Sequence, residues 1–121
     1  MDDDLAWRAA IHEAGHLVGA KRMGLPCGGG RLDPPVAYFP IDCGVESVVA
    51  LMSGAIGESL ILGDYDEVGV EVDWARVCAR LERLGYFDGG DALWAWTFDL
   101  MREHEGLIVR LATKLFHAGW C

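Results

Sequence analysis

The stretch AAIHEAGHLVGA, residues 9–20, decides how this chain is read. It sets two histidines and a glutamate among residues that are otherwise apolar or small. The surrounding run, residues 5–23, contains no proline and several alanines. Asp2, Asp3 and Asp4 stand before it, where acids cap a helix and complement the positive end of its dipole. Gly24 and Pro26 follow, a glycine suited to the left-handed closing position and a proline that cannot continue the helix. One helix is predicted over this run.

On a helix, residues four apart share a face. His12 and His16 therefore point the same way, one turn apart. That spacing lets two imidazoles reach one zinc ion through their ring nitrogens. Glu13 projects to the side of such a metal, where a carboxylate can take a proton from water. This is the HExxH pattern of zinc peptidases. Two surface histidines and a solvated glutamate are the bland alternative. The apolar and glycine-rich flanks weigh against it, because buried ionisable groups are costly unless paired or bound to metal.

A catalytic zinc site needs a third protein ligand. In the longer pattern HExxHxxGxxH, Gly19 fits, but the last position holds Arg22. His104 and His117 fall in a charge-rich amphipathic segment and read as surface histidines. The acidic candidates are Glu46, Glu58, Asp64, Asp66, Glu67, Glu71 and Asp73. Two stand out. Glu58 is the only charge within SGAIGESLILG, residues 53–63, so it must face a partner. Asp73 follows alternating apolar residues in VEVDWARV, residues 70–77, and also reads as a helix N-cap. The residues alone leave the choice between them open.

Elsewhere, residues 25–44 carry glycine and proline punctuation and read as a loop with a short strand at 36–39. Residues 45–62 form a second, nearly all-apolar helix ended by Gly63. Its small residues Ser53, Gly54, Ala55 and Gly57 admit a close neighbour. Residues 64–72 read as an acidic connection, 73–84 as a third helix stopped by Gly85, and 86–91 as a turn. Residues 91–117 form one long helix or two shorter ones. In ALWAWTF, residues 92–98, helical spacing puts the tryptophans in the core or on an oligomer face. The expected fold is a single, mainly α domain over residues 1–121, with four to five helices and at most a short β-hairpin or strand near 31–42.

The chain has 121 residues, 52% of them hydrophobic, enough for one core. The apolar run 48–57 is short for a bilayer and is broken by Ser53 and Gly54. A net charge of −9 argues against nucleic acid and anionic membranes as partners. The acidic N-terminus is unlike a secretory leader. Cys27, Cys43, Cys78 and Cys121 show no CxxC spacing and read as free thiols in a reducing compartment. A cytoplasmic location is expected.

With these residues in view, AIHEAGHLVGA resembles the zinc-binding helix of the FtsH-type ATP-dependent zinc metalloproteases. MSGAIGESLILGD, VEVDWARVCARL and MREHEGLIVRLATKLF are similar to three further segments of that family, in the same order. The resemblance implies His12, His16 and Asp73 as zinc ligands and Glu13 as the catalytic glutamate. It implies Glu58 as a residue beside the metal that orients a histidine or balances charge. The chain has no G-x-x-x-x-G-K-[ST] phosphate loop and a shorter segment between His16 and Asp73, with residues 69–72 replacing the family's Gly-Ala-Ser-Asn run. The expectation is a stand-alone zinc endopeptidase acting on peptides or unfolded segments, with an ATPase or unfoldase partner in trans and a homodimer as further options. Tyr38 is a candidate oxyanion donor, although an aromatic there more often packs. The alternative is a binding or regulatory module that keeps the zinc-site fold without the activity.

Overall fold

The computed structural model describes residues 2–86 and 88–121. Helix α1 spans Asp3–Arg22, α2 Val45–Leu62, α3 Glu67–Leu84, α4 Asp91–Arg102 and α5 Glu105–Ala118. A two-stranded antiparallel sheet, β1 Gly30–Leu32 and β2 Pro35–Ala37, separates α1 from α2 in sequence. The fold is mainly helical with one short hairpin, as expected.

Helix α1 begins and ends where its polar residues dictate. The Asp2 carboxylate accepts from the Leu5 N–H at 2.9 Å, and Asp3 and Asp4 fill the first turn. Lys21 and Arg22 fill the last turn, and Gly24 takes a φ of +75° beyond it. The interior of α1, from Ala10 to Ala20, is almost wholly buried.

Helix α2 is the central element. α1, α3, α4 and α5 all pack on it, and α5 also packs on α1. Ser47 through Glu58 are all buried. The polar ones are paired: the Ser47 hydroxyl donates to the Pro40 carbonyl at 2.8 Å, and Ser53 donates to the Val49 carbonyl at 2.7 Å. Small residues set the α1–α2 distance. A Cβ on Gly15 would stand 2.3 Å from the Ser53 carbonyl oxygen, and one on Gly19 would meet the Ser53 side chain. By length and composition the whole of α2 could cross a membrane, which corrects the shorter apolar run read from sequence; 67% of it is buried inside the domain.

One boundary differs from expectation, and one open choice is resolved. Helix α3 starts at Glu67, so the first six residues of its span belong to helix rather than to a connection. Val70, Val77 and Leu81 are buried, a spacing of seven and four that fits a helical face. The alternating look of VGVEV is incidental, and Asp73 lies inside the helix instead of capping it. The last helical region is two helices, broken at residues 103–104. Of the expected turn 86–91, Phe87 lies outside the described residues.

The hairpin packs on α1, and its register pairs Gly30 with Ala37 and Leu32 with Pro35. The chain's end adds to it: Cys121 and Gly30 exchange hydrogen bonds at 3.0 and 3.2 Å. β1 is thus bonded on both sides, while β2 keeps an outer edge. Arg80 of α3 donates to the Ile41 carbonyl and to Asp42 (2.9 Å), tying the segment after β2 to α3.

Trp94 packs against the core, but Trp96 is more than half exposed, so the core reading fails for it; Trp120 is exposed as well. Trp96 lies two residues beyond Trp94, on the opposite side of α4.

Candidate metal centre

Three helices bring the site together. α1 supplies His12, Glu13 and His16; α2 supplies Glu58 and the Ala50 carbonyl; α3 supplies Asp73. His12 Nε2 stands 2.9 Å from His16 Nε2, and both lie against Asp73 Oδ2, at 2.8 and 2.9 Å. These three atoms form a nearly equilateral triangle. Gly54 lies beneath the imidazoles: a Cβ there would stand 2.6 Å from His16 Cε1 and Nε2 and 2.9 Å from His12 Cε1. Only glycine leaves the rings this room.

The far side of each ring fixes its proton. His16 Nδ1 lies 2.8 Å from the Ala50 carbonyl oxygen, which can only accept, so Nδ1 carries the hydrogen. His12 Nδ1 donates in the same way to Glu58 Oε2 at 2.6 Å. When both imidazoles are neutral, their Nε2 lone pairs and a carboxylate oxygen face one another within 2.9 Å. Three acceptors in contact need a cation among them, either a proton on His12 or a metal ion. Ligands about 2.0–2.2 Å from a tetrahedral ion stand roughly 3.3–3.5 Å apart. The triangle would open by about half an ångström to hold one.

Without metal, the cluster holds that proton on His12. Burial pulls the His12 pKa down, but hydrogen bonds to Asp73 and Glu58 outweigh it and raise the pKa to about 10. Asp73 is the counterpart: burial favours its neutral acid, yet the two histidines hold it well below the usual carboxylate range. Glu13, 8% exposed, moves the other way. Burial raises its pKa, with His16 and His12 opposing.

Glu58 is the hub of the supporting network. Its Oε1 accepts from Arg8 at 2.9 Å and from the Asp66 N–H at 3.3 Å, while Oε2 holds His12. Arg8 also pairs with Asp64 at 2.6 Å. Sequence reasoning missed Arg8, although it lies one helical turn before His12 on the same face. It also missed the Ala50 carbonyl, for which no side-chain pattern exists.

The cluster opens into a cleft of about 610 Å³ walled by α1, the hairpin and α3, with Glu13 and Pro35–Ala37 in its lining. Phe39 lies against the His16 ring, 5.5 Å between centroids. The other candidates fall elsewhere. His104 sits between α4 and α5 with a buried, unpartnered Nε2, contrary to its reading as a surface histidine. His117 is exposed, and neither lines the cleft. Tyr38 is 45% exposed and outside the cleft, so it is neither packed nor placed as an oxyanion donor. The four cysteines are free.

His12, Glu13 and His16 have ligand atoms within 4.8 Å of one another and could hold a metal ion. No family model and no curated protein matches the chain. The reading of this site therefore stands on its residues and their geometry.

Proposed function

We propose that the chain is a zinc metallopeptidase that hydrolyses peptide bonds in peptides or unfolded segments. One observation carries the reading: His12 Nε2, His16 Nε2 and Asp73 Oδ2 converge as three mutual acceptors while Glu13 lines the same cleft. His12, His16 and Asp73 would hold the zinc. When bound, zinc supplies Lewis acidity, acidifying water and polarising a carbonyl group. The donor set of two imidazoles and one carboxylate suits zinc, and it keeps a position open for reactants.

The chain's own residues do the rest. Glu13 accepts a proton from the attacking water and returns it to the leaving amine. Its burial supports that role, since a carboxylate raised from its ordinary pKa is a better base at neutral pH. Glu58 and the Ala50 carbonyl hold the two Nδ1 hydrogens and so turn both Nε2 atoms toward the position a metal would take. The outer edge of β2 supports binding of an extended substrate by strand addition. Pro35 offers no N–H there and Val36 is turned inward to its partner Arg31, so the N–H at that edge would come from Ala37.

The test is cleavage of an unfolded, fluorescently labelled protein by the zinc-loaded chain, comparing wild type with Glu13→Gln. Loss of about 10²–10⁴-fold in rate with zinc still bound is expected. Retained hydrolysis in the variant would overturn the mechanism. Zinc bound to both with no cleavage by either would favour a binding module.

A further inference from the structure

A second cleft, about 440 Å³, lies on the opposite flank of α3 from the metal cluster. The lining residues divide along the helix. Val72 and Arg76 face the first cleft, Glu71 and Trp74 face the second, and Asp73 belongs to both. We infer that this second cleft binds a cationic side chain, a lysine or arginine carried on a peptide.

Its walls are aromatic. Trp74 and Trp94 meet edge to face, with centroids 5.9 Å apart and planes at 78°, and Tyr65 meets Trp94 at 6.3 Å and 58°. Tyr65 and Trp74 are each about 40% exposed, so ring surface is open to a ligand. Ring faces attract cations. Carboxylates stand among these rings. Glu71 precedes Trp74 by three residues and Asp91 precedes Trp94 by three, so each acid shares a helical face with its ring. Glu67 lies one turn before Glu71, and like charges at that spacing repel. Among the described residues, no ion pair engages Glu67, Glu71 or Asp91, and no lysine or arginine lines the cleft. The floor is apolar, formed by Leu51, Met52 and Val77. An apolar floor, aromatic walls and unpaired carboxylates match a side chain with a methylene stem and a charged head. This inference does not depend on peptidase activity.

The experiment uses the full chain with a chelator, so metal plays no part. An acetylated, amidated Gly-Arg-Gly peptide is titrated while the tryptophan indole NMR signals are followed. The Trp74 and Trp94 signals should move, and those of Trp7, Trp96 and Trp120 should not. A Gly-citrulline-Gly peptide, which lacks the charge, should bind roughly tenfold more weakly or worse. Glu67→Gln with Glu71→Gln should weaken the arginine peptide by a similar factor, and Trp74→Leu should weaken it with every carboxylate kept. Asp3→Asn with Asp4→Asn removes the same charge elsewhere and should change nothing. Equal binding of the citrulline peptide, no binding at millimolar concentration, or equal weakening by the Asp3/Asp4 pair would overturn the inference. The last result would mean attraction to the net charge alone.

Discussion

The two flanks of α3 use similar residues to opposite ends. On one flank Asp73 and Glu58 are pinned by histidines and an arginine, with every contact at 2.6–2.9 Å. On the other, Glu67, Glu71 and Asp91 stand exposed beside aromatic rings, and among the described residues no ion pair engages them. The difference is burial. A carboxylate with 2% exposure, such as Glu58, must be fully partnered and so becomes a rigid part. An exposed one keeps its hydration and acts through its field. The first arrangement could hold a small ion in fixed geometry; the second, on our inference, attracts a mobile cation.

The largest expected effect comes from cutting the buried flank at its centre. Asp73→Ala should weaken zinc binding by more than 100-fold, beyond the range for residues that only support ligands. Titration against a competing chelator measures this, and affinity within tenfold of wild type would remove Asp73 from the site. Gly54→Ala should cost about 1–3 kcal/mol of stability and displace both imidazoles, since its Cβ would overlap them. Denaturant unfolding reads the first effect and zinc binding the second. Glu58→Gln should weaken zinc by roughly 10–100-fold, because His12 loses the carboxylate that orients it. An unchanged affinity would mean Glu58 serves Arg8 alone.

A smaller effect follows from protons. His12 has a pKa raised from 6.5 to about 10 in the metal-free fold, so its stabilising contribution is complete below pH 6.5 and is lost as pH climbs to about 10. Asp73 is lowered, so its contribution is complete above its ordinary value of 3.8 and is lost as pH falls below it. Metal-free protein should therefore melt highest between about pH 4 and 6.5. With zinc present the alkaline decline should shrink or reverse, because metal replaces the His12 proton. A chelated protein whose Tm rises from pH 6.5 to 9 would contradict the cluster. The smallest effect is expected from Asp64→Asn. Asp64 pairs with Arg8 at the solvent edge, its side chain 72% exposed, so about 0–1 kcal/mol is at stake.

Much of the buried flank was legible in the chain. HEAGH on an uninterrupted helix placed His12, Glu13 and His16, and a lone charge in an apolar helix marked Glu58. Asp73 was open between two roles, because residues 67–72 alternate like a strand and helical phase is ambiguous over so short a run. Only packing of Val70, Val77 and Leu81 against the core resolved that phase and turned Asp73 toward the histidines. Arg8 and the Ala50 carbonyl were hidden for different reasons. One is an ordinary surface-type residue until α2 arrives, and the other is backbone.

The sequence by itself determined α1 and α2, the glycines that let them approach, and two histidines and a glutamate on one helical face. Those are local matters of propensity, capping and period, written in neighbouring residues. The tertiary structure alone decided which carboxylate completes the triangle, which atoms fix the imidazole protons, and that α3 divides two clefts of opposite character. Those depend on contacts between residues 34 to 61 positions apart, and no local pattern encodes such distances.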